Sequence, residues 1–328
     1  MVRNRLLALA MLTAAFAPAA HADEPEQGTF NFVLENDIVS GFDRDYTNGV
    51  QLSWTSGPDR VPSWAIDAAR LFPLFPETGR VRASFALGQS IYTPNDITLR
   101  NPPAEDRPYA GWLYGSIGLI AETGTRLDQL QLQVGVVGPA SLAEQTQTTV
   151  HEIVGADKPR GWDTQLENEP GVVLTYQRSW RAFVSGEFLG FSFDATPHIG
   201  GALGNVFTYA NGGATLRLGW NLPNDYGPPR IEPSLPGSGF FEPQGSLGMY
   251  IFAGLDGRAV ARNIFLDGNT WQDSRSVEKE PLVGDAQVGF AVTLGSVRLA
   301  YTHVFRTQEF ASQHGADKFG AVSLSLRF

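Results

Sequence analysis

Cysteine is absent from all 328 residues, which excludes disulfides, thiolate metal sites and a cysteine nucleophile. A chain without disulfides folds in any compartment to which it is exported. Beyond residue 22 no stretch reaches the roughly 18 consecutive apolar residues of a spanning helix, so a helical membrane protein is excluded too. Cations are scarce. Lys and Arg number 24 against 34 Asp and Glu, a formal charge of −10. A nucleic-acid partner would need a basic surface patch, and no such partner is expected.

The first feature present is at the N-terminus. Arg3 and Arg5 precede an apolar run from Leu6 to Ala19 and the small-residue site Ala20-His21-Ala22. The run is too short for the roughly 20 residues of a membrane span and suits a signal peptide over residues 1–22, leaving 23–328 as the folded part. Losing two arginines takes the formal charge from −10 to −12. The remainder is rich in glycine and aromatics, with 36 Gly, 21 Phe, 9 Tyr and 7 Trp in the whole chain, a composition that fits a β-barrel better than a helix-rich core.

Periodicity points the same way. Val50, Leu52 and Trp54 alternate with Gln51 and Ser53, and the pattern recurs at Val81, Ala83, Phe85, Leu87 and at Leu130, Leu132, Val134, Val136. A two-residue repeat of this kind is that of a strand with lipid on one face and water on the other. The chain closes Val322, Leu324, Leu326, Phe328, an ending that resembles the terminal strand read by the outer-membrane assembly machinery. Twelve strands are predicted, at 29–35, 47–55, 81–91, 110–121, 127–138, 171–182, 187–203, 206–220, 246–255, 284–294, 297–305 and 319–328. The expected fold is all-β, a twelve-stranded antiparallel transmembrane β-barrel of the outer membrane; the competing reading is a soluble β-sandwich or periplasmic barrel. Two stretches strain the scheme. Residues 56–80, with a helix-like run from Trp64 to Leu71, and the Pro-rich 221–245 fall by parity on the periplasmic side, where loops are usually short.

Two clusters carry possible chemistry. Glu35-Asn36-Asp37 ends the first strand and Asp43-Arg44-Asp45-Tyr46-Thr47-Asn48-Gly49 opens the second, so both lie at one rim. Their carboxylate and amide oxygens are the donors a hard cation such as Ca2+ takes, six to eight at a time, although Asn, Asp and Gly are also ordinary loop formers. His151 lies in a long loop between strands five and six, at the same rim by parity, where it could serve as a general base or be a surface histidine.

Taken together, Glu35-Asn36-Asp37, Asp45-Tyr46-Thr47-Asn48-Gly49, Asp106-Arg107-Pro108-Tyr109-Ala110-Gly111-Trp112, and His151 with Gly155, Pro159, Gly161 and Trp162 resemble the outer-membrane lipid A 3′-O-deacylase family. The resemblance continues through Gly204-Asn205 and the segment from Gly254 to Gly268. It implies a calcium-dependent esterase that removes the 3′-linked acyloxyacyl chain of lipid A, with lipopolysaccharide of the outer leaflet as partner; a monomeric protein is expected. By position it implies that Asn36 and Asp37 match the calcium and oxyanion pair, with Glu35 beside them. Thr47 matches an active-site Thr, and His151 the residue that activates water. The family has Glu six residues after the His; here Asp157 stands there, and Glu152 is a rival for orienting the ring. In this scheme a cation near Asp37 polarises the ester carbonyl while His151 takes a proton from water and returns it to the departing sugar hydroxyl, with no acyl-enzyme.

Docking an anionic lipid on an acidic protein needs local cations, for which Arg44, Arg100, Arg107, Lys158 and Arg160 are the loop candidates. Tyr109, Trp112 and Tyr114 are expected in the aromatic girdle at the membrane interface. Two other functions stay open: an outer-membrane phospholipase using Ser40 or Ser53 with a histidine, and a non-catalytic channel or structural barrel.

Overall fold

The structure, a computed structural model, describes residues 27–36 and 45–328, and of residues 45–47 it describes the backbone alone. The proposed signal peptide 1–22 and Asp37, Ser40, Asp43 and Arg44 lie outside the described residues, as does the side chain of Thr47.

Thirteen strands are described: β1 (Gly28–Asn36), β2 (Asp45–Ser56), β3 (Arg80–Thr93), β4 (Ala110–Thr123), β5 (Arg126–Val137), β6 (Glu169–Trp180), β7 (Val184–Phe188), β8 (Phe191–Gly204), β9 (Phe207–Trp220), β10 (Leu247–Asn263), β11 (Leu282–Leu294), β12 (Val297–Arg306) and β13 (Asp317–Arg327). All pairings are antiparallel, and each strand lies beside its sequence neighbour except β6 and β7, which both pair with β8. The ring closes between β1 and β13, from Thr29↔Arg327 to Asn36↔Gly320. Every expected strand is present, and the seventh needs correcting. The run 187–203 is broken by a turn at Leu189-Gly190, both at positive φ, which suits a two-residue hairpin. β6 pairs with the upper part of β8 (Ser179↔His198) and β7 with the lower part (Val184↔Ala195), so β6 and β7 are one stave interrupted at residues 181–183. The barrel therefore has twelve staves.

Alternation sorts the side chains. On β10, Met249, Ile251 and Leu255 are exposed on the outer wall while Tyr250, Phe252, Asp256 and Arg258 are buried inside. Trp54, Phe30 and Trp220 face outward, but Trp112 and Tyr114 turn into the lumen, where they stack at 5.6 Å between centroids. They are interior packing, not the girdle expected of them, because Gly111, Leu113 and Gly115 take the outward positions of β4. Tyr109 is also buried, beneath a rim loop.

The parity assignment of the two difficult segments holds: both leave the end that carries the termini. Residues 57–79, with helix α1 (Ser63–Ala69), fold up against the outer wall. The Pro-rich residues 221–246 turn inward and fill the lumen, climbing from Asp225 to a bend at Arg230–Pro233 beside Glu35 and Arg306 and then returning. Wall side chains satisfy this backbone: Asn31 donates to the Gly239 carbonyl (2.9 Å), Gln129 to Gly237 (3.2 Å) and Arg306 to Pro233 (3.0 Å). Its charge is matched as well. Asp225 is clamped between Arg217 and Arg298, and higher up Asp285 accepts paired bonds of 2.8–3.1 Å from Arg258 and Arg306. Buried ions are tolerated only when paired in this way.

Candidate functional site

The longest connection at the loop-bearing end joins β5 to β6 over residues 138–168. It contains helix α2 (Ala143–Val154), whose buried residues are Ala143, Gln147 and His151, one per turn on one face. That face meets the outside of the barrel wall. Ala143 and Trp162 form a buried cluster with Ile91, Ile97 and Tyr109, and Gln89 of β3 donates to the Ser141 carbonyl at 2.6 Å. Gly111 makes the close approach possible, since a Cβ there would collide with Ser141 and Ala143.

The strand register places the rim cluster on the same outer side. Asn36 pairs with Asn48, Asn48 with Ile91 and Ile91 with Gly111, and residues opposite one another in an antiparallel ladder share a face. One outward row therefore runs Asn36, Asn48, Ile91, Gly111, with α2 seated on its far end. Thr47 falls at a register irregularity between Tyr46 and Asn48, a type of kink common beside active sites.

His151 sits in the last turn of α2 and is buried. Gly155, at φ 74°, takes the left-handed conformation that ends the helix, and its N–H and that of Ala156 both return to the His151 carbonyl (2.8 and 3.0 Å). The chain doubles back and sets the Asp157 carbonyl 2.6 Å from His151 Nδ1. A carbonyl oxygen only accepts, so Nδ1 carries the proton and Nε2 keeps the lone pair. The orienting group is thus the Asp157 backbone. Its carboxylate and that of Glu152 are exposed, which corrects the expectation that one of them holds the ring.

Sequence reasoning missed Gln147. Its Oε1 accepts from Trp162 Nε1 at 2.9 Å, while its Nε2 is buried with no hydrogen-bond partner among the described residues. The available signal was its spacing, four residues before His151. Two expected residues lie elsewhere. Glu35 turns into the lumen, where Arg230 Nε donates to it at 2.7 Å, so its carboxylate is engaged away from the outer row. Arg107 is fully buried against Tyr92 and Phe310, its nearest carboxylate Glu309 at 3.6 Å, and is no surface cation. Lys158 and Arg160 are exposed beside the helix, as is Arg100 in the neighbouring loop. No group of three or more His, Cys, Asp or Glu side chains placed to hold a metal ion occurs among the described residues.

A barrel with a helix strapped to the outside of its wall is the setting in which comparison with known proteins becomes informative. The sequence matches the family described as "Outer membrane protein LpxR" over residues 6–328. The chain belongs to that family. Among solved structures it is similar to LpxR from Salmonella typhimurium, with a TM-score of 0.73 and 23% identity, covering 92% of this chain and 100% of that one. The β domain of the Bordetella autotransporter BrkA aligns at a TM-score of 0.45 and 8% identity, over 92% of this chain and 99% of that one. No match was found among the curated proteins. The fold is thus that of an LpxR-type outer-membrane barrel. The end carrying the termini is periplasmic, and the end carrying α2 faces outward from the cell.

Proposed function

We propose that this protein is a lipid A 3′-O-deacylase, hydrolysing the ester of the 3′-linked acyloxyacyl chain with water activated by His151. The observation that carries the reading is a buried histidine with Nδ1 fixed on a backbone carbonyl and Nε2 without a hydrogen-bond partner among the described residues, held on the lipid side of the wall at the outer rim. Nε2 accepts a proton from water as the water attacks the ester carbonyl, and returns it to the departing sugar hydroxyl. The buried Gln147 Nε2, one turn away on the same face, is a donor available to the oxygen on which charge develops. Lys158 and Arg160 supply cations for lipid A phosphates, and the exposed Leu142 and Ile153 offer apolar surface for acyl chains.

Calcium fits this site in part. Asn36 stands on the outward row, next in sequence to Asp37, whereas Glu35 faces the lumen and is paired with Arg230. The ion would be held by Asn36, Asp37 and backbone carbonyls, and would supply Lewis-acid polarisation of the ester carbonyl. A serine-based phospholipase has less support, because Ser53 lies in the lumen next to Asn31 (3.3 Å), away from His151. The lumen-filling segment argues against an open channel.

The test is mass spectrometry of lipid A from cells expressing the wild type or His151→Ala, with calcium present or chelated. Loss of one acyloxyacyl unit only with wild type and calcium is expected. Unchanged lipid A throughout, from protein shown to be folded in the outer membrane, would refute the reading.

A further inference from the structure

Residues 57–79 are an uncommon feature for the periplasmic end of a barrel, and their position suggests a partner. Ala69 and Phe75 are buried against Val81 and Ala121, with Ile66, Phe72, Leu119 and Leu130 packed around them. Val81, Leu119, Ala121 and Leu130 are outward positions of β3, β4 and β5. The segment is therefore a strap across the outside of the wall. It also covers charge. Asp128 points outward from β5 and accepts from Arg126 Nε (2.9 Å) and Arg178 Nε (2.6 Å), while Arg178 Nη2 donates to the Leu74 carbonyl of the strap at 2.9 Å. A charged group on a lipid-facing wall is costly, and the strap shields this one.

The other face of the strap presents uncovered apolar side chains beside the exposed ion pairs of Arg70 with Asp67 and Glu77. Trp64 is 72% exposed, Leu71 84% and Leu74 52%. They cannot turn inward, because Ile66, Ala69, Phe72 and Phe75 already occupy the wall side. Their level is that of lipid. The strap packs on Leu119 and Leu130, both more than one residue in from the strand ends, whereas elsewhere the exposed belt begins at the last strand residues, Trp220 of β9 and Leu294 of β11. Beside it, Trp54 and Phe85 stack at 5.9 Å on the outer wall and carry the apolar surface upward. The patch is thus continuous with the barrel's lipid-contacting belt.

We propose that residues 57–79 seat in the periplasmic leaflet of the outer membrane, with Leu71 and Leu74 among phospholipid acyl chains and Trp64 at the headgroup boundary. Tryptophan favours that boundary, and the exposed Arg60 is a cation of the same segment available to lipid phosphates, whereas Arg70 is engaged within the strap by Asp67 and Glu77. The strap grips β3 and β4 from below while α2 grips them from above, so the same sector of wall is anchored at both faces of the membrane.

The chain lacks cysteine, which makes single-site labelling direct. Trp64→Cys and Leu71→Cys would each carry a bimane label in phosphatidylcholine vesicles containing lipids brominated along the acyl chain. Phe290→Cys on the lipid belt and Glu105→Cys in a rim loop are the two references. The label at 71 is expected to be quenched several-fold by brominated lipid, as at 290, and shielded from iodide, and that at 64 to be quenched by brominated lipid less than at 71 and more than at 105. Iodide quenching and indifference to brominated lipid, as at 105, would overturn the proposal. Folding is checked by heat-modifiable gel migration, and Leu74→Cys is read if either variant does not fold. None of these signals depends on catalysis, so they stand or fall separately from the deacylase reading.

Discussion

Residues 138–168 and 221–246 are both long connections, yet one lies on the outside of the wall and the other runs through its interior. The outer segment attaches by shape. Gly111 leaves room for Ser141 and Ala143, Ile91 and Tyr109 bury against Trp162, and few charges are involved. The inner segment attaches by charge, through Asp225 between two arginines and Arg230 on Glu35. A segment carrying reactive groups can be held without spending them when its hold on the wall is apolar. A segment that must fill a polar lumen has its charges consumed by the fit.

Breaking the outer attachment is expected to act on rate. Gly111→Val would push α2 off β3 and β4 and displace His151. A shift of about 1 Å costs about 10²-fold in turnover, measured as lipid A conversion, while heat-modifiable migration stays that of a folded barrel. Breaking the inner one is expected to act on stability. Asp225→Ala leaves Arg298 buried without an anion while Arg217 keeps Asp194, a loss of about 3–5 kcal/mol in denaturant unfolding, and conversion per folded molecule should change by no more than a few-fold. If Asp225→Ala abolished activity in the folded protein, the separation between the two segments would fail.

Glu232 sharpens the contrast. Burial in the lumen pushes its carboxyl up from 4.5 to about 7, against the hydrogen bonds donated by Tyr209 and the Ser234 N–H. The folded protein holds that proton more tightly than the unfolded chain, so its contribution to stability is greatest at low pH. It falls as pH rises from about 4.5 through about 7, and is level above. Unfolding midpoints measured across that range should slope downward in the wild type and flatten in Glu232→Gln.

The smallest effect is expected at Asp157. Because its carbonyl holds His151, Asp157→Ala should lower the rate of lipid A conversion by less than about tenfold, far less than loss of the imidazole itself.

How legible these features were in the sequence follows from what each depends on. The staves were readable because alternation such as Val50, Leu52, Trp54 is local and every one carries it. The turn between β7 and β8 was not, since Phe188, Leu189 and Phe191 continue an apolar run and only the backbone turns. Parity put 221–245 at the periplasmic end, but nothing in a Pro-rich stretch says that it enters the lumen. That depends on pairs such as Glu35 with Arg230, 195 residues apart. Arg107 read as a rim cation because Asp106-Arg107-Pro108 resembles a turn, and its burial comes from Phe310 and Tyr92, remote in sequence. His151 was identified by resemblance, whereas the atom that orients it is a main-chain oxygen, which no side-chain letter records.

The position of α2 on the outer side of the wall has a kinetic corollary. A site there meets a membrane lipid by diffusion within the leaflet, in two dimensions, and releases its lipid product into the same sheet. Its rate then follows the mole fraction of substrate in that surface, and diluting the suspension leaves turnover unchanged while diluting the leaflet with inert lipid lowers it.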